Sequence, residues 1–537
     1  MKRPLFRLLF LIFSGLLVTA CAKKGTPDGG AIDITPPKYV RARPENFTTN
    51  FNAREIRIYF NEYIKLKDPQ RQVIISPPMD PRPEITPLGT ASKSIRIRIN
   101  DTLEPRTTYT INFGRSITDN NEGNPLDYFT YAFSTGPYID SLTVTGNVSD
   151  ALLKLPDPYI SVMLYEVDST YNDSAVYTRM PRYVTNTLDS ATTFQLNNLK
   201  EGKYQMVAIR DVNSNYLYDP KTDKIAYADE YVTIPTESVF DLILFKEDLE
   251  GKFQRPQQKA QQHLIFGYEG RVVQDSLEIN VLSDIPENFE ATITKDAKTD
   301  TLHYWYKPNM ATDTLQFLVH TPGANDTLLT RLKEMKPDSL QFNFEPRGTL
   351  NFDQKVKLLP SIPLVEVNDS LVQLVRNDSI PMSFEAEYDR WNKAYIISFD
   401  KEEKQSYKFT ALPGAFVDFF GKANDTLTAK FNTRSYADYG NVTINLQNVE
   451  NFPVIVQLTT EQGELKAEKY SRGETAVNFR NISPGQYLLR LIYDTNKNGI
   501  WDTGSLLGRR QPEKVVYYPD VLTARANWDD VYTFIVE

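Results

Sequence analysis

The chain has 537 residues, with 60 Lys and Arg against 69 Asp and Glu and a net charge of −9, so it repels nucleic acid and anionic lipid and is not expected to bind nucleic acid. Its 31 Tyr, 29 Phe and 33 Pro beside 24 Gly favour strands over helices, and sustained helical periodicity is absent. One cysteine, Cys21, rules out an intrachain disulfide, so the domains must be stable through burial alone.

Lys2, Arg3 and Arg7 precede an apolar stretch over residues 8–17 and a small-residue approach, Val18, Thr19 and Ala20, to Cys21. That is the layout of an export signal. The segment resembles a bacterial lipoprotein signal, which implies cleavage before Cys21, diacylation of its thiol and acylation of the new amine. Several acyl chains such as palmitate hold a bilayer firmly where one binds reversibly, and the apolar stretch is too short to span a membrane of roughly 30 Å. Without the three cations of this segment the balance falls to −12. Residues 1–20 are expected as signal peptide and 21–37, poor in large apolar side chains, as a flexible tether. Ala22 after the anchor is not the aspartate of inner-membrane retention, which points to the outer membrane. Lys23 and Lys24 ahead of Asp28 favour its periplasmic face slightly over the cell surface.

From Lys38 the pattern alternates with period two: Ile56, Ile58 and Phe60, then Val73 and Ile75, Ile95, Ile97 and Ile99, and Tyr109, Ile111 and Phe113. Half-buried strands separated by turn signals at 77–83, 100–101 and 119–125 read as a β-sandwich. The stretch Thr107-Thr-Tyr109-Thr-Ile111-Asn-Phe113, then Ile117-Thr-Asp119 and the closing Phe133-Ser-Thr-Gly136, resembles the bacterial Ig-like domain of S-layer and Bacteroidetes envelope proteins. That resemblance implies a spacer or binding platform without catalytic residues.

Internal repeats organise the rest. Residues 194–219 recur at 477–502 with a constant offset of 283, carrying Gly202-x-Tyr204 and Asp211-x-Asn213-x-Asn215 into Gly485-x-Tyr487 and Asp494-x-Asn496-x-Asn498. A strand of this kind followed by an Asp/Asn loop resembles prealbumin-like sandwiches, among them adhesin B-type repeats and carboxypeptidase regulatory-like domains. A weaker echo places Tyr407, Asp418, Gly421 and Phe431-Asn-Thr433 about 298 residues after Tyr109, Asp119, Gly123 and Phe133-Ser-Thr135. The expected fold is therefore all-β, several tandem β-sandwiches. A bacterial Ig-like domain spans 38–137 and a prealbumin-like sandwich 138–247. A Lys/Gln/Glu-rich linker, 248–265, leads to a central β-domain at 266–345. A degenerate Ig-like domain at 346–435 and a second prealbumin-like sandwich at 436–537 follow.

Asp211, Asn213, Asn215 and Asp219, like Asp494, Asn496, Asn498 and Asp502, fall at positions 1, 3, 5 and 9 of a calcium-loop spacing. Against calcium, Thr222 and Ser505 stand where a bidentate Glu belongs, and only the second loop has glycine at position six. The same residues serve equally as hairpin side chains bonding their own amides. The tripeptide Asp-Ser/Thr-Leu recurs at 101, 140, 275, 300, 313, 326, 338, 369 and 425. It reads as a turn leading into a strand, and it also resembles the O-glycosylation sequon of Bacteroidetes, with Thr102, Ser276, Thr327, Ser370 and Thr426 as preferred acceptors.

Catalytic patterns are lacking. His263, His303 and His320 are the only histidines and have no metal-ligand spacing, and no zinc-protease, nucleophile-elbow or phosphate-loop motif occurs. Tyr304, Trp305 and Tyr306 alternate along a strand and read as core before they read as a sugar-stacking face. The expectation is a non-enzymatic, lipid-anchored envelope scaffold or adhesion platform whose partner is an unknown envelope protein or glycan. Its cofactor is none or calcium. The alternative is an outer-membrane hydrolase or a glycan-binding accessory of polysaccharide uptake centred on 266–345.

Overall fold

A computed structural model describes residues 32–187, 192–321 and 324–536; Cys21 and the signal segment lie outside them. The protein is all-β and falls into two compact units, one running to Ser141 together with Asn197–Leu199, the other comprising the remainder. Among the described residues the α-helices are single turns, Pro69–Gln72 and Ala175–Thr178.

In the first unit the alternation at Ile56, Ile58 and Phe60 becomes the strand Glu55–Leu66, which pairs antiparallel with Tyr39–Arg43, Ser92–Arg98 and Ile117–Asp119. A second sheet joins Ile74–Ser76, Thr108–Asn112 and Thr130–Ser134. Every second side chain turns inward, and Ile56, Ile58, Ile97, Ile111, Phe113 and Phe133 fill the space between the sheets, as in a sandwich.

The second unit repeats this construction. Leu142–Asp150 pairs in parallel with Val239–Leu244, and Ser161–Glu166 pairs antiparallel with Gly202–Ile209. His263–Glu269 and Thr301–Lys307 lie side by side and share an interior with Thr314–Thr321 through Leu264, Phe266, Tyr304, Tyr306 and Phe317. Val356–Pro360, Ala394–Ser398 and Ser406–Ala411 enclose Leu358, Ile397, Tyr407 and Phe409. Finally, Gly440–Gln447 lies between Ala476–Ile482 and the parallel Asp529–Ile535, over Val456, Leu489 and Leu491. Within the expected linker, Lys252–Phe253 and Gln257–Ala260 are strands on the edge of His263–Glu269. An edge strand needs few inward apolar residues, here Phe253 and Ala260, so its composition looks like that of a solvated connector.

Both echoes persist in the hydrogen bonds. Tyr109 Oη accepts from Glu104 N at 2.9 Å, while Thr135 Oγ1 accepts from Thr107 N at 2.9 Å and donates to Glu104 O at 2.6 Å. At the positions 298 residues later, Tyr407 Oη accepts from Glu402 N at 2.8 Å, and Thr433 Oγ1 accepts from Gln405 N at 3.1 Å and donates to Glu402 O at 2.5 Å. A tyrosine bonding the backbone a few residues upstream is the corner device of Ig-like sandwiches.

The segments that carry the two copies of the repeat, a first within 142–247 and a second within 440–536, also touch each other. Arg490, 6% exposed, donates to Gln457 Oε1 and to Leu152 O of the first copy, both at 2.6 Å. Arg509 grips both Asp173 oxygens at 2.8 Å, Gln511 reaches Tyr227 O and Asp229, and Thr503 donates to Lys246 O at 2.6 Å.

Candidate functional site

The two Asp/Asn loops are built alike. Asp211 accepts from the amides of Asn215 (3.2 Å) and Tyr216 (2.7 Å), and Asp494 from those of Asn498 (3.1 Å) and Gly499 (2.9 Å). A second carboxylate closes each loop from the side. Asp223 takes the amides of Val212 and Asp219, and Glu513 those of Thr495 and Asp502. The amides keep the offset of 283, whereas Asp223 and Glu513 do not, which is why the repeat did not single them out; their one signal is deep burial of an acid. Asn496 and Asn498 direct their side-chain amides at Asp502, at 2.6 and 2.7 Å. In the first loop Asn215 accepts from Leu217 N, Asp219 from Lys221 N, and Asn213 is exposed. Burial pushes the Asp211 carboxyl above its ordinary pKa. Among the described residues no three His, Cys, Asp or Glu side chains are grouped as around an ion.

Tyr304, Trp305 and Tyr306 are all buried, but they divide. The two tyrosines enter the sandwich interior, whereas Trp305 lies on the outer face with Ile362 and Phe419 over it. Strand pairing sets His263 opposite Trp305 and Ile265 opposite His303, so His263, His303 and Trp305 share that face. The His263 ring stacks on Trp305 with centroids 3.7 Å apart. Its Nδ1 meets Asp338 at 2.7 Å, its Nε2 meets His303 Nδ1 at 2.8 Å, and His303 Nε2 meets Asp296 at 3.3 Å. Burial pushes both imidazoles down, His263 to about 3, and the neighbouring Lys393 and Lys259 act in the same direction. Asp338 is raised by burial. Asp296 is held at about 2 although burial alone would raise it, because the Lys298 amide and the Thr299 hydroxyl donate to it. Sequence spacing gave no hint of this chain of four, since forty residues and two intervening strands separate the histidines. His320 stands apart, on Asn325.

Of the acceptor hydroxyls, Thr102, Thr327, Ser370 and Thr426 are exposed and Ser276 is half-buried, bonded to Val273 O. Cys21 lies outside the described residues. Among those residues no helix is long and apolar enough to cross a membrane.

Residues 33–135 match the family of the bacterial Ig-like domain, in agreement with the two sheets and the tyrosine corner of the first unit. No curated protein matches the chain in sequence. Similar solved structures include surface layer protein SbsC, domains 1-6, at 11% identity, 90% of this chain, 67% of that one and a TM-score of 0.16. Domains A168-A170 of titin align at 11% identity over 46% of this chain and 91% of theirs, TM-score 0.14. Salmonella alpha-2-macroglobulin reacted with methylamine aligns at 10% over 92% and 43%, TM-score 0.14. None superposes as a whole, and the Ig-like fold rests on the matched residues and the sheets themselves.

Proposed function

We propose that the chain is a non-enzymatic outer-membrane lipoprotein, anchored through Cys21 and facing the periplasm, whose sandwiches serve as a scaffold or adhesion platform in the envelope. The observation that carries this reading is what the molecule repeats. The Tyr109/Thr135 corner and its copy at Tyr407/Thr433, and the Asp211 loop and its copy at Asp494, reproduce devices that hold a sandwich together. Duplicating structure multiplies surface and reach, as suits Ig-like repeats in a scaffold or adhesive role. Exposed hydroxyls at Thr102, Thr327, Ser370 and Thr426 suit O-glycosylation, which would solubilise an exported chain.

The test compares the native chain with Cys21→Ala by intact mass, membrane fractionation and protease treatment of whole cells. The native chain should carry a triacyl mass, sediment with the outer membrane and resist protease until the cells are opened. The variant should lose both the lipid and the membrane. Identical unmodified masses would refute the anchor, and cleavage on intact cells would move the protein to the surface.

A further inference from the structure

Segments 254–259 and 329–336 are laced together along one edge of the sandwich that contains Trp305. Arg255 Nε donates to Leu329 O at 2.9 Å and the buried Thr330 hydroxyl to Pro256 O at 2.8 Å. Lys333 N donates to Gln258 Oε1 at 2.7 Å, and Gln258 Nε2 returns to Lys333 O at 3.1 Å. Beside these bonds lies a depression of about 890 Å3 lined by Arg255, Gln257, Leu329, Arg331, Lys333 and Met335, with Glu334 its single acid. Three cations thus line the depression against one carboxylate, in a chain whose acids outnumber its bases. No ion pair among the described residues involves Arg255, Arg331 or Lys333, whereas Arg271 and Lys307 of the same sandwich hold Asp248 and Glu290. The three residues are exposed and their head groups hold no carboxylate, so an anion seated in the depression is the partner that Coulomb attraction favours.

The geometry points to a binding site for an anionic oligosaccharide, whose carboxylate or sulfate groups pair with Arg255, Arg331 and Lys333 while an apolar sugar face rests on Leu329 and Met335. Gln257 offers an amide to hydroxyls. The volume falls in the range of roughly 300–1,000 Å3 usual for small-ligand sites. A peptide adding itself as a strand would have to displace side chains here, because Arg255 occupies Leu329 O and Gln258 occupies both backbone groups of Lys333. A flat bilayer surface meets a depression poorly. The site deepens the platform reading and relies on it only for the ligand's presence in the envelope; binding measured in solution stands or falls separately from the anchor.

The experiment is calorimetric titration of the purified chain with tetragalacturonate, a chondroitin sulfate tetrasaccharide, cellotetraose, hexaglutamate and phosphatidylglycerol vesicles. At least one acidic saccharide should bind, more weakly as salt is added, and cellotetraose should not. Arg331→Gln with Lys333→Gln should weaken binding about tenfold or more at an unchanged melting temperature, and Arg331→Lys with Lys333→Arg should restore most of it. Failure of both acidic saccharides, equal binding by the Gln double variant, or preferential binding of hexaglutamate or vesicles would overturn the assignment.

Discussion

His263 is the residue whose environment is most exacting. The contacts Asp338–His263–His303–Asp296 need three N–H protons, and two neutral imidazoles supply two. With His263 Nδ1–H on Asp338 and His303 Nδ1–H on His263 Nε2, His303 Nε2 turns a lone pair toward Asp296, and that contact is the longest of the three, 3.3 Å against 2.7 and 2.8 Å. A further proton there would gain a bond to Asp296, but burial, Lys393 and Lys259 oppose it. In the unfolded chain each imidazole protonates near 6.5, whereas folded His263 does so only near 3. Between those values the unfolded state binds more protons, so the stability from the neutral pair is complete above pH 6.5 and drains away as pH falls toward 3. The slope is at most about 1.4 kcal/mol per pH unit for each histidine. Asp338, raised by its burial, works in the opposite sense only within the carboxylate range. Urea midpoints measured from pH 7.5 down to 4.5 should therefore fall in the native chain and fall less steeply in His263→Phe, which keeps the stack on Trp305 but cannot titrate. Parallel profiles would place the acid sensitivity elsewhere.

At the scale of loops and strands, much was legible because the information is local. Alternating Ile56, Ile58 and Phe60 gave the buried face of a strand, and the Asp-Ser/Thr-Leu tripeptide behaves as strand entry. At Asp140, Asp300, Asp313 and Asp425 it runs straight into a strand, at Asp338 one residue and at Asp275 and Asp369 one 3-10 turn come first, whereas Asp326 lies inside a strand and no strand adjoins the tripeptide at Asp101. What stayed hidden needs contacts between distant segments. Asp223 and Glu513 reach their loops from places the offset does not relate, and the edge strand Gln257–Ala260 is written in polar residues. The loops themselves give a prediction. Asp494 spends its carboxylate on the amides of Asn498 and Gly499, and charge-assisted bonds of this sort contribute about 1.5–3 kcal/mol. Asp494→Ala should lower stability by about 2 kcal/mol, and Asp211→Ala similarly. If amides rather than an ion are the partners, the loss will be the same in EDTA and in calcium; a loss seen only in calcium would make the second loop a cation site.

Over the whole second unit, the repeat is visible in sequence but the pairing of its copies is not. Arg490 and Gln457 occupy strand positions that read as solvent-facing, and only the approach of Leu152 turns Arg490 into a buried contact. At Gly504 the approach leaves no room for a side chain. A Cβ there would lie 2.7 Å from Phe245 of the first copy and 2.8 Å from Arg510 O, so the ring or the backbone of 503–511 must give way. Overpacking of this kind costs about 1–3 kcal/mol. Because Gly504 and Phe245 belong to different copies, that cost should be felt on both sides of the contact. In Gly504→Ala, amide exchange should quicken in 503–511 and in 239–247 of the first copy together, with Thr503 losing Lys246 O and Leu506 N losing Glu247. Adding Phe245→Ala, which removes the ring that clashes, should bring exchange in 503–511 back toward the native rate while leaving a cavity in the first copy. Quickening confined to 503–511, with 239–247 unmoved, would mean that the copies fold independently and merely lie against one another.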